Sequence, residues 1–234
     1  MQLLLEGAPI SRSRAEEQLG YALTGHHLAA IAWADAEQDA NRLEGAAERV
    51  MRACGASRRL TIVSGTAVQW LWMPCADLPP MTAVHEVRRK TRGVRVAFGR
   101  VAPGVDGFRT SHLDAVAAQR LLARMQSPHS VVRYDDVHLV DLLTADLSKA
   151  EAFVEAALGE LATADPTLQR TVRTYVSEGF NISSTADAMF AHRNTIDRRL
   201  TRARRMLSRP LDQNPTSVDA ALMFVELRRA RLGD

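Results

Sequence analysis

Residues 171–207 read TVRTYVSEGFNISSTADAMFAHRNTIDRRLTRARRML, and the phase of this stretch decides what the C-terminal third of the chain can be. It predicts a short helix over 183–190, a tight turn, and a longer basic helix over 193–207, the helix-turn-helix arrangement. On the longer helix Ile196, Leu200, Ala203 and Leu207 share one face, because successive residues turn by about 100°. Asn194, Arg198, Thr201 and Arg205 fall opposite, with Arg202 and Asp197 at the flanks. The apolar stripe is expected to dock on the preceding helices through Ala186 and Met189. The other face is then free for the major groove of duplex DNA, where Arg pairs bidentately with guanine and Asn with adenine. Ser183, Ser184, Thr185, Arg193 and Thr195 lie at helix N-termini and suit phosphate oxygens. The competing reading is a basic, solvated helix of an ordinary bundle.

Charge weighs against that competitor. Residues 192–209 hold seven Arg against Asp197 alone, a net of +6. A solvated helix face normally alternates sign. Residues 163–234 carry 12 Arg against 8 acids, whereas residues 1–162 carry 18 basic against 19 acidic residues. A polyanion is the expected partner of the basic end, with nucleic acid ahead of a membrane surface because the segment has no large apolar face to insert.

The whole chain bounds the remaining possibilities. Its 234 residues are 46% hydrophobic and 24% charged, with net charge +3. That is the composition of a globular protein of one or two domains, and it excludes disorder, collagen and a disulfide miniprotein. The longest apolar runs, at 28–34 and 67–75, fall far short of the roughly 20 residues a spanning helix needs. The N-terminal MQLLLEGAP lacks the basic and long apolar regions of a signal peptide, so none is expected. Cys54 and Cys75 match no zinc or C-x-x-C spacing and predict two reduced thiols in a cytoplasm.

Working back towards the N-terminus, the pattern gives helix, strand, helix, strand, strand, helix, strand, helix, strand. The run from His27 to Trp33 reads as a buried strand. Ala40, Leu43, Ala47, Val50 and Met51 form one helical stripe ended at Gly55. The segments 60–63 and 68–73, separated by Ser64-Gly65-Thr66, read as a hairpin. Pro79-Pro80 opens a helix carrying Val84 and Val87, and Val94, Val96 and Phe98 alternate as in a half-buried strand. A loop is expected at Pro103, Gly104 and Gly107. Ser111-x-x-Asp114 then resembles a capping box for a helix to about Met125. The core of this order is βαββαβ, a ferredoxin-like α+β domain with its crossover helices on one face of an antiparallel sheet. After it, Ser148-x-x-Glu151 resembles a second capping box, Asp165-Pro166 starts a helix that Gly179 ends, and a final helix is expected over 218–231. The expected divisions are an α+β domain at 12–145, a connector helix at 146–162 and a helix-turn-helix domain at 163–234.

Thr171, Tyr175, Gly179, Asn181, Thr185-Ala186, the run His192-Arg193-Asn194-Thr195 and Arg199-Leu200 resemble the C-terminal helix-turn-helix domain of PucR/CdaR-type bacterial transcription regulators. VAFGRVAPGVDGFRTSHLDAVAAQ and RYDDVHLVDLL resemble the end of the GGDEF-like domain those regulators carry. The resemblance spans roughly residues 12–234. It implies a cytoplasmic, sequence-specific regulator of transcription whose α+β domain serves oligomerisation or effector transmission. Members usually have a further N-terminal sensory region, so a fragment or a short member is expected. Arg198 stands where the family tends to have an aromatic residue, and Met189 and Ala191 replace the more usual Leu and Val.

The likeness to GGDEF domains raises nucleotide cyclisation, which needs carboxylates holding two metal ions beside a Gly-rich hairpin. The hairpin Ser64-Gly65-Thr66-Ala67 has no carboxylate, and Asp35 would be a lone ligand. His26 and His27 point to opposite faces of a strand and cannot share a metal. Asp135-Asp136 reads as a helix cap, and Trp33, Trp70 and Trp72 read as core. The expectation is therefore no enzyme, no cofactor and no metal. The expected partners are double-stranded DNA, a second copy of the chain in a homodimer or larger homo-oligomer, and an unidentified small-molecule effector. The alternative is a ligand-binding or catalytic α+β protein whose helical C-terminal part only dimerises. The final helix, with Met223 and Phe224 beyond its main stripe, could pack against a partner or within its own bundle.

Overall fold

The computed structural model describes residues 2–8 and 10–229. Contacts divide the chain into two compact units, Met1–His138 and Leu139–Asp234. The first unit runs α1 (Gln2–Leu5), α2 (Arg12–Leu19), β1 (His26–Ala34), α3 (Leu43–Ala53), β2 (Leu60–Val63), β3 (Val68–Pro74), α4 (Met81–Lys90), β4 (Val94–Phe98), β5 (Ala102–Pro103), α5 (Gly104–Arg124) and β6 (Val131–Arg133). Next come α6 (Tyr134–Leu143), α7 (Leu147–Leu158), α8 (Pro166–Ser177), α9 (Ile182–Ala188), α10 (Arg193–Met206) and α11 (Pro215–Arg228).

The sheet order is β2-β3-β1-β4-β6. β1 pairs antiparallel with both β3 and β4, and β2 with β3, which is the expected ferredoxin-like core. The fold is α+β. Two features extend that core. β6 adds in parallel to β4, and the sheet is covered on both faces rather than one.

Register shows how. Leu28 and Ala30 of β1, opposite Met73 and Leu71 of β3, pack with Ala46, Ala47 and Val50 of α3 and Val87 of α4. Ala29, opposite Trp72, faces the other way, into a cluster with Phe108 of α5, Tyr21 and Leu23. A strand buried on both faces reads as a continuous apolar run rather than an alternating one. That is why 27–33 carried no period, and His27 through Ala32 are fully buried. Trp72 is core, as expected: it stacks on the Phe108 ring at 4.6 Å and donates its indole N–H to the Phe108 carbonyl at 3.0 Å.

The covering helix corrects the reading of 103–114. There is no loop through Gly107. α5 begins at Gly104, which takes φ of +68°, a conformation cheap for Gly. Gly107 lies inside the helix and must be Gly there, because a Cβ would lie 2.3 Å from the Ala102 carbonyl. Ser111 is no N-cap either. It is buried in the third turn, and its hydroxyl accepts the Ala29 N–H at 2.7 Å, tying α5 to the sheet. Asp114 pairs with Arg100 at 2.8 Å. The box at Ser148 is likewise displaced: the cap of α7 is Asp146, which accepts the Lys149 N–H. Asp135 and Asp136 sit in the first turn of α6, and Asp136 is paired with Arg133.

His112 stands between Trp70 and Trp72, with ring centroids 4.6 and 4.9 Å away. Its Nδ1 is buried with no partner, and burial pushes its pKa down to about 4. The unfolded chain takes up a proton near the ordinary value of about 6.5 that the folded chain refuses. Stability is therefore complete above that value and falls as pH drops towards 4, by about 3 kcal/mol in all. Urea unfolding at pH 7 and pH 4.5 measures this. His112→Leu shrinks the difference, and an unchanged difference in that variant contradicts the assignment.

Candidate nucleic-acid interface

In the second unit each helix of the helix-turn-helix starts on a specific cap. Asp165 accepts the N–H groups of Thr167 and Leu168 at the head of α8. Asn181 Oδ1 accepts those of Ser183 and Ser184 at 2.9 and 3.1 Å, starting α9. His192 Nδ1 accepts the Asn194 N–H at 3.2 Å, starting α10. Sequence reading found the first of these and missed the other two. Asn181 was legible as a favoured N-cap residue ahead of a Ser-Ser-Thr start. A His cap carries no comparable signal.

The turn between α9 and α10 spans residues 189–192 and is reversed at Phe190, which has φ of +49°. The Ala191 N–H returns to the Ala186 carbonyl at 2.9 Å and the Phe190 N–H to Asp187 at 3.1 Å. Gly usually occupies such a position after a helix. Phe190 is 99% exposed, so its side chain contributes nothing to the core. Phe190→Gly is therefore expected to raise stability by about 1 kcal/mol by relieving the left-handed backbone. A loss of stability in thermal unfolding contradicts this.

Ile196, Leu200 and Ala203 are buried, and α10 ends at Met206, so Leu207 is its half-buried C-cap rather than a helical residue. Ala186 is buried and Met189 half-buried. Seated on that stripe, α10 turns Arg193, Asn194, Arg198, Thr201, Arg202 and Arg205 outward, all exposed. Thr195 is half-buried. On α9 Ser183 is exposed and Ser184 half-buried, and both of their backbone N–H groups are taken by Asn181. Thr185 does not belong to the exposed set. It is fully buried and its hydroxyl donates to the Asn181 carbonyl at 2.7 Å. Its inner position follows from phase, since Thr185 stands beside Ala186 and four residues before Met189, on the docking side of the short helix.

The arginines of α10 divide by what they touch. Arg204 lies over the Tyr175 ring at 5.9 Å and braces the helix against α8, while Arg199 is half-buried. Among the described residues no carboxylate pairs with Arg193, Arg198, Arg202 or Arg205. Elsewhere in this unit arginines do find acids: Arg173 of α8 pairs with Asp219 and Glu226 of α11, and Arg228 of α11 with Glu151 of α7. Phe224 is buried within this unit and Met223 half-buried. Phe224 is thus absorbed by its own bundle. The expected end of α11 at 231 lies outside the described residues.

In the first unit the β2–β3 turn, residues 64–67, closes with the Ser64 N–H on the Val68 carbonyl at 2.9 Å and presents no carboxylate. Asp35 faces Arg95 at 3.8 Å. Among the described residues no group of three His, Cys, Asp or Glu side chains is placed to hold a metal ion. His27 is fully buried and His26 exposed, so they lie on opposite faces. Among the same residues no helix is long and apolar enough to cross a membrane.

Residues 7–121 match the GGDEF-like domain family, and residues 168–225 match the PucR C-terminal helix-turn-helix domain. No curated protein sequence matches the chain. Among solved structures the chain is similar to a regulator of polyketide synthase expression from Bifidobacterium adolescentis, at 19% identity and a TM-score of 0.43, over 98% of this chain and 91% of that one. With a GGDEF-like domain followed by a PucR C-terminal helix-turn-helix domain, the chain belongs to the PucR/CdaR type of bacterial regulator.

Proposed function

We propose that the protein is a sequence-specific DNA-binding regulator of transcription, acting in the cytoplasm, with α10 in the major groove. One observation carries this reading. Within a PucR-type helix-turn-helix, Arg198, Arg202 and Arg205, with no carboxylate partner among the described residues, share the exposed side of a helix whose opposite stripe of Ile196, Leu200 and Ala203 is buried. Asn194, Arg198, Thr201 and Arg205 are of the types that read base edges. Arg193, Thr195, Ser183, Ser184 and Arg202 flank them and serve phosphate oxygens.

One such helix reads only a few base pairs, too few to single out a site among about a million competitors. The protein therefore acts as a homodimer or larger assembly. Two recognition helices in successive major grooves stand about 34 Å apart. Selection of bound fragments from genomic DNA tests the reading. The expected product is an inverted repeat with half-site centres about 10 base pairs apart or a multiple of that. Light scattering should give at least two chains per complex. Absence of salt-dependent duplex binding overturns the reading, and a single chain bound with full specificity overturns the dimer.

The α+β unit serves oligomerisation or effector transmission rather than catalysis. Its hairpin offers nothing to hold a metal at a nucleotide phosphate, and Asp35 faces an arginine instead. Incubation with GTP and Mg²⁺ or Mn²⁺ is expected to yield no cyclic dinucleotide above a blank. Turnover that disappears on Asp35→Ala contradicts this.

A further inference from the structure

The first unit holds a second concentration of positive charge, between α3 and α4. Between the start of α3 and the end of α4 lies an open cleft of about 480 Å³, lined by Arg42, Arg49, Arg89, Lys90 and Arg92. Five cations line one concavity. Glu86 pairs with Arg89 and Lys90, and Asp39 with Arg42. Among the described residues no carboxylate pairs with Arg49 or Arg92.

The cleft is built rather than merely decorated. Arg42 Nη1 donates to the Arg92 carbonyl at 3.1 Å, which links the two sides, and Arg49 Nη1 donates to the Gly45 carbonyl at 2.8 Å. Asp39, which holds Arg42 at 2.9 Å, is seated against Gly93, where a Cβ would lie 2.5 Å from its carboxyl carbon. Two guanidinium groups are thus fixed by backbone carbonyls with most of their N–H donors still unused. A guanidinium fork held in that way matches phosphate oxygens.

The volume exceeds what a single phosphate fills. A neighbouring groove shares Arg49 and Lys90 and continues over Ala53, Ala83 and Val87, with Arg52 and the already paired Glu86 at its edge. The two together offer a polycationic end and a small apolar floor.

We propose that this cleft binds a small molecule carrying two or more phosphate groups, with its phosphates among Arg42, Arg49 and Arg92 and its organic body over Ala53, Ala83 and Val87. This gives the GGDEF-like unit an effector site of defined chemistry. It does not depend on whether the second unit binds DNA.

Titration calorimetry on the whole chain tests it, with inorganic tripolyphosphate and with ATP as probes. Saturable binding of both, one per chain, is expected below about 1 mM. The double variant Arg49→Gln, Arg92→Gln changes two exposed or half-exposed side chains and should weaken both probes by at least about tenfold. Ala83→Glu should weaken ATP more than tripolyphosphate, because it obstructs the apolar floor. Arg198→Ala, Arg205→Ala in α10 should leave both unchanged. Absence of saturable binding overturns the proposal. So does binding that survives the Arg49 and Arg92 changes, or binding that is lost with the α10 pair instead.

Discussion

Replacing Arg198, Arg202 and Arg205 together with alanine is expected to lower affinity for duplex DNA by about a thousandfold at moderate salt while leaving the fold intact. All three are exposed and, among the described residues, have no carboxylate partner, so nothing in the core changes. Exposed substitutions of this kind usually stay within about 0.5 kcal/mol of the parent in stability. The loss should divide by position. Arg198 projects from the middle of the exposed face, so Arg198→Ala alone costs about 1–3 kcal/mol on the selected site and relaxes base preference at one position. Arg193, at the head of α10, is placed for a phosphate. Its removal should weaken every sequence alike and lower the salt slope by about one unit. Anisotropy titrations on selected and random duplexes, at several salt concentrations, separate the two. Equal losses for Arg198→Ala on both duplexes would remove its base-reading role.

The largest effect on stability is expected at Gly99, which lies buried just after β4 and donates its N–H to the Ala29 carbonyl. A Cβ at this position would stand 1.8 Å from the Ser111 carbonyl oxygen in α5. No side-chain rearrangement relieves that overlap, because both partners are backbone. Gly99→Ala must push α5 off the sheet, breaking the bond from the Ala29 N–H to Ser111 Oγ. A cost of about 4 kcal/mol, or roughly 10 °C in Tm, is expected. Gly20 serves as the control: it has open space at its Cβ, though its φ of +59° still carries the strain of the left-handed region. Gly20→Ala should therefore cost only about 1 kcal/mol. A Gly99→Ala protein as stable as Gly20→Ala would contradict the close approach of α5.

These two predictions come from parts of the protein that were unequally legible in the sequence. Helix α10 could be read almost entirely from phase, because Ile196, Leu200 and Ala203 are one face of one helix and one-sided charge marks the other. The sheet core was legible for the same reason: strand order followed from local patterns and from the hairpin at 64–66. What stayed hidden depends on contacts between distant residues. Ser111 looked like a cap because its partner, Ala29, is 82 residues away. Gly104 and Gly107 looked like a loop because glycine marks both loops and close approaches, and only the helix packed on Ala102 distinguishes them. The second covered face of the sheet followed from that error, since a shortened α5 leaves too little helix to cover it. Thr185 was grouped with the phosphate-facing residues because it stands near the head of α9, although it lies four residues before Met189 and shares that inner face. The polycationic cleft between α3 and α4 joins residues nearly 50 positions apart, and no local pattern announces it.

The central claim is that DNA meets the exposed face of α10. Its most direct measurement is site-specific photocrosslinking, with a benzoylphenylalanine placed singly at Thr201, at Arg205 or at Val63 in the whole chain. Val63 is a fair control, being 69% exposed on β2 of the other unit. The account predicts crosslinks to the selected duplex from positions 201 and 205 and none from position 63. Crosslinking from position 63 with none from 201 or 205 would contradict it.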